Sequence, residues 1–114
     1  MRKQKLLVQK YGGSSLAEPT QIRDIAKRIS KLHAGEYGLI IVVSAMGSTT
    51  DELINLAYQV SPHPNRRELD MLTSTGERIA MSLMSMAIND RNCKSISLTG
   101  SQAGVLTDEA HSSA

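Results

Sequence analysis

The amino-acid sequence predicts an α/β fold: a three-layer αβα sandwich around a mainly parallel sheet. Three observations lead there. Two short aliphatic runs, Lys5–Lys10 and Leu39–Val43, read as strands. Each runs straight into a loop of small residues, GGSSLAE after the first and SAMGSTTD after the second. Between and after them lie stretches with the three-to-four-residue apolar spacing of amphipathic helices.

The first strand carries Leu6, Leu7 and Val8, and Gly12–Glu18 follows as a loop. Pro19 suits the first turn of a helix, where its missing N–H costs nothing. Ile22, Ile25, Ala26, Ile29 and Leu32 then form a helical stripe, with Arg23, Asp24, Lys27, Arg28 and Lys31 mostly off it. Gly35 is a plausible stop. Leu39–Val43 is aliphatic at every position between Gly38 and Ser44, which predicts a central strand buried on both faces. After the loop Ser44–Asp51, a second helix carries Leu53, Ile54, Leu56, Ala57 and Val60.

The two prolines of Ser61–Asn65 end that helix. Arg66–Asp90 is helical again, through Leu69, Leu72, Ile79, Ala80, Leu83, Met84, Ala87 and Ile88. Gly76 interrupts it, so two helices meeting at STGER and one bent helix are both open. Lys94–Thr99 has a weak strand alternation in Ile96 and Leu98, Gly100–Gly104 is a third glycine loop, and the tail from Thr107 is polar without pattern. In such a fold right-handed crossovers bring all three loops to the carboxyl edge of the sheet.

Composition narrows the function classes. The 114 residues make one modest domain, 40% apolar, with three tyrosines as the only aromatics and therefore an aliphatic core. A net charge of +2, interspersed along the chain, argues for no nucleic acid and no membrane as partner. Cys93 is the only cysteine, which fits a reducing compartment. No apolar run approaches the ~20 residues of a membrane span or the ~7–15 of a signal peptide, so a cytoplasmic location is expected.

Three stretches could carry chemistry. In KYGGSS, Lys10 sits at a strand end beside Gly12, Gly13 and Ser14. Glycines let backbone N–H groups approach an anion, and lysine adds a full charge. The alternative is a plain tight turn. Neither GxxxxGK[ST] nor GxGxxG is present, so a Walker A loop and dinucleotide binding are both disfavoured. In SAMGSTTD, the hydroxyls of Ser44, Ser48, Thr49 and Thr50 could bond a phosphate or other polar ligand. Alternatively Thr49 or Thr50 caps the next helix, worth ~1 kcal/mol. In STGER, Glu77 and Arg78 are either a functional pair or ordinary solvated helix charges. His33, His63 and His111 are scattered with no metal-ligand spacing. Met71, Met81, Met84 and Met86 read as core filling.

Together, KYGGSS, VVSAMGSTTDEL, STGER and LTGSQAGVLTD, in this order and spacing, resemble the start of bacterial aspartate kinase (aspartokinase) over essentially all 114 residues. SAMGSTTDEL and STGER favour that family over carbamate kinase and acetylglutamate kinase, its relatives in the amino-acid kinase superfamily. The resemblance implies the carbamate kinase-like fold and phosphorylation of the β-carboxylate of L-aspartate by ATP with Mg²⁺, the entry to lysine, threonine and methionine synthesis. Lys10 would then be catalytic, stabilising charge on the transferring phosphoryl group. Lys10, Tyr11, Gly12, Gly13, Ser14, Ser44 and Gly47 would bind ATP or its phosphates. Ser48, Thr49, Thr50 and Glu77 would bind aspartate. No metal ligand is assigned.

Phosphoryl transfer needs positioning and charge neutralisation more than covalent chemistry, and a carboxylate nucleophile is already ionised at neutral pH. Family members are several times longer. Residues 1–114 are therefore expected to be the N-terminal part of an amino-acid kinase domain, inactive alone, without its C-terminal part and regulatory ACT domains. A homo-oligomer is expected of the enzyme. The alternative is a non-catalytic module of the same fold that binds an anion or pairs with another chain.

Overall fold

The computed structural model describes residues 5–35, 37–100 and 102. Two parallel strands, β1 (Lys5–Tyr11) and β2 (Tyr37–Val43), pair in register from Lys5–Tyr37 to Tyr11–Val43. The helix between them, α1 (Pro19–Ala34), completes a strand–helix–strand unit. Two further helices follow, α2 (Thr49–Val60) and α3 (Arg66–Asn89). The loops after β1 and β2 therefore leave the same edge of the sheet, as the sequence predicts.

α1 forms where its signals place it. Pro19 opens it, and Glu18 donates its backbone N–H to the Gln21 side chain at 2.8 Å. Ile22, Ile25, Ala26 and Ile29 are buried, one face of a 3.6-residue period, and Gly35 caps the end. Their partners are Ala80, Met84 and Ile88 of α3, with Tyr11, Leu39, Ile41 and Val43 of the sheet against them. α1 and α3 thus share one face of the sheet, and the aliphatic core lies between them. Arg91 Nε, past the end of α3, donates to Ser30 Oγ of α1 at 3.1 Å.

Several expectations are corrected. β2 is not buried on both faces: strand alternation sends Leu39, Ile41 and Val43 to the helices and leaves Ile40 48% and Val42 43% exposed. Leu6 and Val8 of β1 share that open face at 64% each. The described residues build the sheet and the helical layer on one side of it.

The stretch Arg66–Asn89 is one continuous helix, with Gly76 inside it and Asn65 as its cap, accepting from Glu68 N–H at 3.2 Å. Lys94–Thr99 forms no strand. Side chains of α3 take its polar groups instead: Ser95 N–H donates to Asn89 Oδ1 at 2.7 Å, and Ser85 Oγ donates to Ser95 Oγ at 3.0 Å. Ile96 and Leu98 point outward. Of the methionines read as core, Met84 is buried, whereas Met71 and Met86 are exposed. Most of the third glycine loop and the tail from Thr107 lie outside the described residues.

Candidate functional site

The site is built from the bottom of the two strands. At the end of β1, Lys10 and Tyr11 diverge by alternation. Tyr11 packs on the core and donates its hydroxyl to Gln9 Oε1 at 2.9 Å, while Lys10 is exposed and has no partner among the described residues. Beyond Tyr11 the chain turns through one 3₁₀ turn, Gly13–Leu16. Leu16 is fully buried and anchors this turn to the core, while Gly12, Ser14 and Ser15 stay exposed. Gln21 Nε2 of α1 donates to Ser14 O at 3.3 Å and steadies the turn from the other side. The Gly12 and Gly13 N–H groups have no backbone acceptor among the described residues. They remain available to an anion.

The loop after β2 is clasped to this turn. Ser44 N–H donates to Tyr11 O at 3.2 Å, and Gly47 N–H to Gly13 O at 2.9 Å. A Cβ on Gly13 would stand 3.1 Å from Ala45 O and 3.4 Å from Gly47 O, so the two loops lie in backbone contact. Gly47 has φ +45°, and a Cβ there would meet Ala17 Cα at 3.3 Å. The backbone angle is one that L side chains rarely adopt and the approach to Ala17 is tight, so both favour glycine here.

α2 begins directly after. Its cap position is Ser48, with Thr49 and Thr50 in the first turn, so neither threonine is the cap expected from sequence. Ser48 makes no capping bond; its hydroxyl donates to Glu52 Oε1 at 3.1 Å. Thr50 is exposed and Thr49 half-buried.

α3 closes on the loop through Gly76. A Cβ on Gly76 would lie 3.0 Å from Ala45 Cβ, 3.3 Å from Thr49 Cγ2 and 3.6 Å from Leu53 Cδ1. Glycine inside a helix costs up to ~1 kcal/mol relative to alanine, and this contact is what the missing side chain permits. Glu77, the next residue, is exposed and carries no ion pair among the described residues.

The three motifs therefore meet: KYGGSS and SAMGST through backbone hydrogen bonds, SAMGST and STGER through Ala45 and Gly76. The fourth, LTGSQAGVLTD, is mostly outside the described residues; at its start Thr99 N–H donates to Gln102 Oε1 at 2.9 Å and Gln102 N–H to Thr99 Oγ1 at 3.3 Å. Sequence reasoning singled out neither Leu16 nor Ala45. An isolated leucine in a polar loop was the available signal for the first; for the second there was none. An apolar groove of about 320 Å³ between α2 and α3, lined by Leu56, Ala57, Val60, Pro64, Leu69 and Leu72, shares no residue with these motifs.

The amino acid kinase family profile matches residues 5–113. The chain belongs to the amino acid kinase family. Among curated family relatives, an aspartokinase of Geobacillus stearothermophilus is 46% identical over 109 residues, covering 96% of this chain and 27% of that protein. The aspartokinase of Mycolicibacterium smegmatis is 51% identical over 109 residues, 96% of this chain and 26% of its own. This amino acid kinase chain thus spans about a quarter of the length of the curated relatives it matches. The crystal structure of aspartate kinase from Synechocystis is similar with a TM-score of 0.81 and 48% identity, over 85% of this chain and 17% of that one. That similarity shows the amino acid kinase fold for the strands and helices described above.

No helix among the described residues is long and apolar enough to cross a membrane. No three His, Cys, Asp or Glu side chains among them gather closely enough to hold a metal ion.

Proposed function

We propose that this chain is the N-terminal portion of an aspartokinase, which transfers the γ-phosphoryl group of ATP to the β-carboxylate of L-aspartate in the cytoplasm, at the entry to lysine, threonine and methionine synthesis. The observation that supports this reading is the meeting of three motifs at one sheet edge. It brings the uncommitted N–H groups of Gly12 and Gly13 and the exposed Lys10 to the same loop cluster as Thr49, Thr50 and the helix bearing Glu77.

Each residue has a role in this reading. Gly12, Gly13 and Ser14 hold phosphate oxygens, with Tyr11, Ser44 and Gly47 shaping the same wall. Lys10 neutralises charge as the phosphoryl group leaves ADP. Ser48, Thr49 and Thr50 orient aspartate, and Glu77 pairs with its ammonium. The aspartate carboxylate attacks phosphorus, the bond to the ADP oxygen breaks, and no proton is transferred in the step. Mg²⁺ would supply further charge neutralisation on the phosphates; no three His, Cys, Asp or Glu side chains among the described residues gather closely enough to hold it, so no residue here is assigned to it. The catalytic unit is a homo-oligomer that includes the rest of an amino-acid kinase domain and ACT domains.

The test is a completed kinase, in which this chain replaces the matching 109 residues of the Geobacillus stearothermophilus aspartokinase. Aspartate-dependent ADP release is expected. A soluble, folded chimera without it would overturn the reading.

A further inference from the structure

We propose that Gly76 is a positioning residue: the stack Gly13–Ala45–Gly76 sets the separation between the phosphate turn and Glu77. The inference rests on the proposed aspartokinase reading and deepens it. Ala45 is buried, and two glycines, Gly13 and Gly76, lie close to it. Its carbonyl oxygen faces Gly13, 3.1 Å from where a Cβ would stand, and its own Cβ faces Gly76, 3.0 Å from where another would stand. A helix-interior glycine needs a packing reason, and here the reason lies at the candidate site.

The stack has one compliant side. Ala45 cannot yield toward Gly13, because Ser44 N–H to Tyr11 O and Gly47 N–H to Gly13 O bind its loop to the turn on both flanks. A methyl group on Gly76 must therefore push α3 outward by a few tenths of an ångström, against Thr49 and Leu53 as well. Glu77 follows Gly76 on the same rigid helix and moves with it. Gly12, Gly13 and Lys10 stay where they are. The aspartate side of the site is displaced relative to the phosphate side, and positioned reactions are sensitive to displacements of this size.

The experiment uses the completed kinase and separates aspartate from ATP. Gly76→Ala is expected to raise KM for aspartate about tenfold and leave KM for ATP within about twofold, a displacement well short of the ~1 Å that costs ~100-fold. Ala45→Gly removes the opposing methyl, so the double variant is expected to recover the aspartate KM to within about threefold of the parent, a coupling that independent sites do not show. Thermal unfolding is followed in parallel. A lower midpoint with an unchanged aspartate-to-ATP KM ratio, or an equal loss for both substrates, makes Gly76 a packing residue only and overturns the proposal. Should Gly76→Ala fail to fold, Ala45→Gly alone is read by the same ratio: slack between loop and helix raises the aspartate KM several-fold, and an unchanged value refutes the inference. A folded parent chimera without aspartate-dependent turnover removes the proposed function and this inference with it. An active parent with an indifferent Gly76→Ala removes only the inference.

Discussion

Gly47 donates its backbone N–H to the Gly13 carbonyl at 2.9 Å, and this bond ties the loop after β2 to the turn after β1. It forms because Gly47 adopts φ +45° with its α-carbon face close to Ala17. Gly47→Ala should therefore destabilise the fold. The left-handed conformation costs a non-glycine residue ~1–2 kcal/mol, and the 3.3 Å approach to Ala17 Cα adds to it. Gly12→Ala is the comparison, since a Cβ there has nothing within 4 Å and φ is −93°. Its effect should stay within ~0.5 kcal/mol. Denaturant unfolding of the two variants side by side checks this; equal losses would show that the bond between the loops does not depend on Gly47.

Lys10→Ala in the completed kinase should depress turnover far more than it weakens aspartate binding. The ammonium is exposed at the end of β1 and spends itself on no other side chain among the described residues. Aimed at the transferring phosphoryl group, it acts mainly in the transition state. A fall in kcat of less than about tenfold, ~1.4 kcal/mol, would remove Lys10 from its assigned role.

Much of the scaffold was legible because its signals are local. Pro19, the spacing from Ile22 to Ile29, and Gly35 state the limits of α1 without reference to anything distant. What covers a strand is not local. Leu39–Val43 is aliphatic throughout, yet only alternate residues meet helices here, because the described residues supply one layer. Ile96 and Leu98 alternate like a strand, but the segment pairs with no strand among the described residues, and the Asn89 side chain takes the Ser95 N–H and C=O instead. Gly76 left two readings open in the sequence, two helices meeting at STGER or one bent helix; α3 is one helix through it, and the close approach to Ala45 makes Gly76 a point of close packing. The glycines and hydroxyls of the candidate site were all visible as motifs; that Ala45 joins them was not.

Glu77→Gln should raise KM for aspartate and leave that for ATP nearly unchanged. The carboxylate is exposed, follows the helix residue that touches Ala45 and Thr49, and pairs with no arginine among the described residues. Removing its charge costs the ammonium of the substrate a partner and leaves the phosphate turn intact. Initial-rate kinetics with each substrate varied in turn decides the matter. Parallel losses would mean that Glu77 supports the fold rather than the substrate.

The 114-residue chain by itself should show no aspartate kinase activity and should self-associate. It holds the glycine turn proposed to take phosphate, with hydroxyl side chains at the same sheet edge, but no three His, Cys, Asp or Glu side chains among its described residues gather to hold a metal. On the face of the sheet away from α1 and α3, Leu6, Val8, Ile40 and Val42 are exposed; Val8 stands opposite Ile40, with Leu6 opposite Gly38 and Val42 opposite Lys10, so an apolar patch centres on Val8 and Ile40. Such a face, beside strand edges that pair with nothing among the described residues, recruits another chain. Placing a charge in its centre, as in Val8→Lys, should convert the isolated chain toward monomer in gel filtration with light scattering. Cover of this face by the added portion predicts that the same substitution lowers the thermal midpoint of the completed kinase, because the lysine would then be buried without a partner. A monomeric parent chain would show that the open face does not drive association. A Val8→Lys substitution harmless to the completed kinase would show that the face stays uncovered there too.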